Sequence, residues 1–139
     1  MKQIKIILLF ILLAGVLSTC KKYPDDEKWI HLNKPEKRLT NKWSLFQVRN
    51  YMLNIIIPSG TPCGSGNEDI NFHTDGEFAG DASYIHYSGT WNFFDHKKKI
   101  KITEVNNMTH EFTILQLEKD HLKLRGDSLE FTFKEYCGN

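Results

Sequence analysis

Nowhere is this chain apolar for the ~20 residues that a membrane-spanning helix needs. Neither charge sign dominates, with 18 basic residues against 17 acidic ones. A basic excess for phosphate contacts is absent, which argues against nucleic acid as a partner. The patch Lys97-Lys98-Lys99 with Lys101 is local and sits where a solvated hairpin tip is expected. Cysteine is scarce. Cys20, Cys63 and Cys137 stand too far apart for the clustered pairs of a zinc site, so no metal and no cofactor are expected. Enzyme signatures are missing as well. Of the six histidines, His73 lies two residues from Asp75 and His110 adjoins Glu111. Neither pair has the i, i+4 spacing of a helical metalloprotease site. Ser59-Gly60 and Ser65-Gly66 lie in a Gly/Ser/Pro loop without a nucleophile elbow. A non-catalytic protein is the expectation.

What is present begins with a leader. Lys2 and Lys5 precede a 12-residue apolar run from 6 to 17. Positive charge followed by a short apolar core reads as a secretory signal; the competing reading is an N-terminal helix buried in the fold. Leu17-Ser18-Thr19-Cys20 resembles the bacterial lipobox, with Thr19 in place of the usual Gly or Ala. That resemblance implies a signal peptide over 1–19 and a diacylated Cys20 as the first mature residue. Acyl chains anchor by roughly 0.8 kcal/mol per buried methylene, so two or three hold firmly. Loss of the leader removes two lysines and leaves 16 basic residues against 17 acidic ones.

Residues 20–38 then read as a flexible tether, rich in charge and holding Pro24 and Pro35. Trp29, Ile30 and Leu32 are apolar points where part of the arm could dock. Asp25-Asp26-Glu27 resembles the acidic export signals of Bacteroidetes-type lipoproteins. It implies an outer-membrane, lipid-anchored location, on the cell surface or the periplasmic face. Beyond the inner membrane disulfides persist, so Cys63 and Cys137 are expected to pair, with two free thiols as the alternative. Such a closure is worth about 4 kcal/mol in the loop-entropy model.

From residue 39 to 139 the pattern is that of strands. Helical 3-4 spacing is scarce and period-two alternation recurs. Leu129, Phe131 and Phe133 alternate with Glu130, Thr132 and Lys134; Leu122 and Leu124, and Ile100 and Ile102, repeat the pattern. Ile85, Tyr87, Gly89, Trp91 and Phe93 share one side of another strand. Further strands are expected over 42–49, 52–57, 68–74 and 109–117. In the last, Phe112 and Ile114 oppose Leu115 and Leu117, which calls for two covered faces or a bulge. Short turns separate the strands, and Asp75-Gly76 predicts a type I′ hairpin. The simplest solution is an all-β meander of about eight antiparallel strands, closed into an up-and-down barrel that removes its edges.

Four motifs carry a family resemblance: Leu39-Thr40-Asn41-Lys42-Trp43, Phe72-His73-Thr74-Asp75-Gly76-Glu77-Phe78, Gly89-Thr90-Trp91 and Leu122-Lys123-Leu124. Their order and spacing resemble the small lipocalin-like lipoproteins of Bacteroidetes-type bacteria, with Asn41 where that pattern has glycine. The resemblance covers about residues 39 to 136. It implies a lipocalin-like barrel that binds a small hydrophobic molecule, and it supplies no catalytic residues.

The aromatic residues can fill such a barrel or line a pocket in it, each burying roughly 150–250 Å². If a pocket forms, its wall is expected to hold Trp43, Tyr87, Trp91, Phe112, Phe131 and Phe133. A filled barrel would instead meet a protein or glycan partner through an exposed apolar patch near Tyr51, Met52, Ile55 and Ile57. Asn107-Met108-Thr109 has the form of a glycosylation sequon. Asp127-Ser128-Leu129 resembles a bacterial O-glycosylation site at Ser128, although a hairpin turn explains it better.

Overall fold

Among the described residues, alternation of apolar and polar residues becomes nine strands, with one short helix before them. The computed structural model describes residues 22–27, 33–60, 68–82 and 85–136, and of 81, 82 and 85–87 the backbone alone. The elements are α1 (Pro35–Leu39), β1 (Lys42–Asn50), β2 (Ile55–Pro58), β3 (Asp69–Phe72), β4 (Glu77–Ala82), β5 (Ile85–Phe94), β6 (Lys99–Glu104), β7 (Thr109–Leu117), β8 (His121–Arg125) and β9 (Leu129–Glu135). Cys20, Cys63, Cys137, Trp29, Ile30 and Leu32 lie outside the described residues.

Strands β3 to β9 run as an antiparallel meander, each beside its successor. β1 closes it. One of its edges pairs with β9 from Trp43↔Glu135 to Asn50↔Leu129. The other pairs with β3 through Lys42, Trp43 and Ser44. The product is the expected closed eight-stranded barrel, with β2 as an additional strand. The sequence pattern places β2 within the meander; the structure does not. β1 is nine residues long, so its first half serves β3 while its second half, from Gln47 to Asn50, serves β2.

Two bulges set which side chains face inward. A register shift between Ile114 and Gln116 rotates Leu117 into the core, where it is 0% exposed. This resolves the conflicting pattern of that strand in favour of the bulge. A second shift, between Leu45 and Gln47, does the same for Val48. The Asp75-Gly76 turn departs from expectation. Gly76 alone takes a left-handed conformation, at φ 88°, and its N–H bonds to the His73 carbonyl. A type I′ turn would need positive φ at both central residues.

The β3–β4, β5–β6 and β7–β8 turns lie at one end, the base; the 51–54, 105–108 and 126–128 turns lie at the other, the mouth. Towards the base the interior is packed solid with Trp43, Leu39, Phe72, Phe78, Leu117 and Phe133, all essentially buried. The Trp43 indole N–H bonds to the Leu39 carbonyl at 2.9 Å. This ties the wall to α1, which Pro35 starts with a preset φ.

The N-terminal arm completes the base. Tyr23 is 0% exposed, and its hydroxyl donates to the Lys97 carbonyl at 2.9 Å. Asp25 N–H bonds to Leu115 O, and Asp26 Oδ1 accepts the Leu117 N–H, both at 2.8 Å. Arg38 donates to the Leu117 carbonyl and lies 3.6 Å from Asp26. These contacts engage the end of β7, where the strand runs out of ladder partners and its backbone groups need others. The Tyr23 contact also braces a strained turn. Asp95, His96 and Lys97 all hold positive φ without being glycine, at a cost of about 1–2 kcal/mol each.

Candidate functional site at the barrel mouth

β7 outruns β8 at the mouth. Their pairing starts at Thr113↔Arg125, so residues 109–112 have no partner on that edge. Between this overhang and the 126–128 turn lies a cleft of about 350 Å³. Phe112, Phe131 and Leu129 give it an apolar floor, and His110, Gly126 and Ser128 its rim. The two phenylalanine rings meet edge to face at 5.8 Å, a favoured aromatic geometry. Gly126 matters for access, because a Cβ built there would stand 3.6 Å from the Phe112 ring.

A polar group is set into this aromatic surface. The His110 ring stacks over Phe112 with centroids 6.3 Å apart. Its Nε2 lies 3.0 Å from Oε1 of the buried Glu104, whose other oxygen accepts the Asn106 amide at 3.0 Å. Glu111, the sequence neighbour of His110, instead sits 3.6 Å from Lys101. Adjacent strand residues face opposite sides of the sheet, so the partner of His110 comes from across the β6–β7 turn. The contact commits Nε2, so Nδ1 is the ring nitrogen left to meet a ligand, as an acceptor in a neutral ring and as a donor in a protonated one.

The structure distributes the six residues expected along a pocket wall. Phe112 and Phe131 line the mouth cleft. Trp43 and Phe133 are fully buried in the packed interior. Trp91 meets Phe72 and Phe93 edge-on at 5.8 and 5.4 Å, and its indole N–H reaches the His73 carbonyl at 3.1 Å. The Tyr87 side chain lies outside the described residues. His110 and Glu104 were not singled out as a pair. Inward positions on both arms of a predicted hairpin are the signal that could have found them.

Two further features flank the barrel. At the base, a shallow cleft of about 660 Å³ runs between α1, the β3–β4 turn and the β5–β6 turn, lined by Lys34, Glu36, Lys37, Thr40, Trp91 and Lys97. The Lys97 ammonium bonds to Glu36 and holds that carboxyl below its usual range. At the mouth, the β1–β2 hairpin exposes Met52 by 82%, Leu53 by 65% and Ile56 by 53%, with Tyr51, Ile55 and Ile57 also exposed. The Tyr51 ring lies 4.5 Å from the Arg125 guanidinium, and its hydroxyl bonds to Glu130, which raises the phenol's pKa. Among the described residues, one group has ligand atoms close enough for a metal: Glu118, Asp120 and His121. Glu118 there already accepts the Glu27 N–H and the Gln116 amide.

No protein-family model matches the chain, and no curated protein does. Among solved structures, a lipocalin-like protein from Bacteroides uniformis superimposes with a TM-score of 0.52 at 16% identity, over 70% of this chain and 98% of its own. An uncharacterized protein from Bacteroides eggerthii gives 0.53 at 13% identity, over 70% and 99%. At these identities the likeness concerns architecture, and it agrees with the strand order and closure described above: this chain folds as a lipocalin-like β-barrel.

Proposed function

We propose that this protein is a lipid-anchored component of the outer membrane, facing the cell surface or the periplasm. Its barrel binds a small hydrophobic ligand without catalysis. The observation that carries the ligand reading is the mouth cleft. Its volume of about 350 Å³ is at the lower end for small-molecule sites, which suits a ligand of one or two rings. Phe112 and Phe131 supply the apolar contact, and the His110–Glu104 pair offers a fixed polar partner for one polar group. Titration calorimetry with indole and naphthalene derivatives tests it. Wild type should bind a member of the series, and Gly126→Leu, which projects over the Phe112 ring, should weaken that binding at least tenfold with the melting temperature held. Binding indifferent to Gly126→Leu, or none at all, would overturn the reading. The intact mass of the protein from its own cells reports acylation at Cys20 and, by a loss of two hydrogens, the Cys63–Cys137 bridge.

A second reading draws on a different observation. The interior towards the base is filled, and the β1–β2 hairpin leaves six large apolar side chains in water. Patches of this kind mark interaction sites, so an accessory lipoprotein that meets a protein or glycan partner through this hairpin is the alternative. Loss of partner capture by Ile56→Lys, with ligand binding intact, would favour it.

A further inference from the structure

The described part of the arm, residues 22–27, is packed against the base of the barrel. Tyr23 is sealed under the β5–β6 turn by its bond to Lys97, and Asp25 and Asp26 are bonded to β7. Only three peptide units separate Tyr23 from Cys20, a reach of about 10 Å at most. An acyl group on Cys20 therefore cannot swing to the mouth. It stays beside the base.

The base has the chemistry for such a neighbour. Lys22, Lys34, Lys37 and Lys98 are exposed around the cleft floored by Trp91, with Lys97 half-buried among them. Partial desolvation, and after it the nearby Lys97, hold the Lys22 ammonium below its usual pKa. Acids share this region: Glu36 is bonded to Lys97, Asp95 lies 3.7 Å from His96, Asp75 is exposed on the β3–β4 turn, and Asp25 and Asp120 are paired with Lys123 and His121. Lysines near an anionic bilayer surface contribute favourably and add to a lipid anchor.

We infer that the face formed by α1, the arm at Lys22 and the β5–β6 turn lies against the membrane surface, its lysines meeting anionic headgroups, with the mouth cleft pointing away. The inference rests on acylation at Cys20 as proposed above. Its test is separable from that reading because the anchor can be made chemically. Mature chain carrying Cys63→Ser and Cys137→Ser is coupled through Cys20 to a maleimide phospholipid in phosphatidylglycerol vesicles. Lysine acylation by a water-soluble ester is then read by mass spectrometry. Lys34, Lys37 and Lys98 should react about threefold more slowly than in the untethered chain, with Lys101 on the barrel wall unchanged. A Gly/Ser spacer of about twelve residues inserted after Cys20 should abolish the protection without touching the fold. Unprotected lysines with the natural arm, or protection indifferent to the spacer, would overturn the orientation. Equal protection on pure phosphatidylcholine vesicles would overturn the match of charge. A second tethered chain, with Cys63→Ala and Cys137→Ala in place of serine, should show the same lysine footprint, which covers a variant that folds poorly.

Discussion

Gly89 stands where no other residue fits. A Cβ there would lie 2.1 Å from the Thr103 carbonyl oxygen and 2.7 Å from the Phe78 ring. Gly89→Ala should therefore destabilise by about 1–3 kcal/mol, as overpacking does, measured by urea unfolding. Gly80 is confined in the same way by the Asp69 carbonyl, 2.3 Å away. The Gly89-Thr90-Trp91 motif was thus visible in the sequence for a packing reason: the glycine makes room for an aromatic ring on the neighbouring strand. Trp43→Phe should keep most of the buried area yet leave the Leu39 carbonyl without its donor, costing about 1–3 kcal/mol in the same assay. Less legible was the His110–Glu104 pair. Sequence adjacency favoured Glu111, and only the pleat, which turns neighbours to opposite faces, decides against it.

Among the elements, the β1–β2 hairpin and the arm taught opposite lessons. The hairpin's residues were too apolar for an ordinary loop, which a buried strand explains as well as an exposed patch, and the structure leaves them exposed. Ile56→Lys should lower dye binding at this patch and change stability by no more than about 0.5 kcal/mol, as surface substitutions do. Charge and proline dominate the composition of the arm, and the docking points expected in it, Trp29, Ile30 and Leu32, lie outside the described residues. Tyr23, Asp26 and Arg38 act through contacts with β7 and the β5–β6 turn, far away in sequence, which no local pattern records. Burial raises the Tyr23 phenol well above its ordinary pKa. A raised folded-state pKa gives stability that is complete below the unfolded value, about 10, and is lost as pH rises through the folded one. Wild type should thus lose stability steeply above about pH 10, as followed by denaturant titration, whereas Tyr23→Phe should lose about 1 kcal/mol at neutral pH and show a shallower alkaline decline.

At the scale of the whole molecule, closure was legible and its details were not. Short turns imply antiparallel neighbours, and a meander with two bare edges is relieved by joining them. That logic led to the barrel; the conflicting alternation of β7 left two covered faces or a bulge, and the structure has the bulge. It could not reveal that β1 divides one edge between β3 and β2, since strand length and pairing partner are separate properties. The joint itself has a kinetic meaning. The barrel is sealed by β1 against β9, so residues near 43 must find residues near 135. Closing a loop of that span is entropically slow, and the local hairpins in between cannot substitute for it. In a half-synthesised chain the first strand can pair with β2 and β3, but its β9 edge stays open. The protein cannot mature in stages from its N-terminus; it must wait for its last strand to emerge, and until then it is a client for whatever keeps unfinished chains apart.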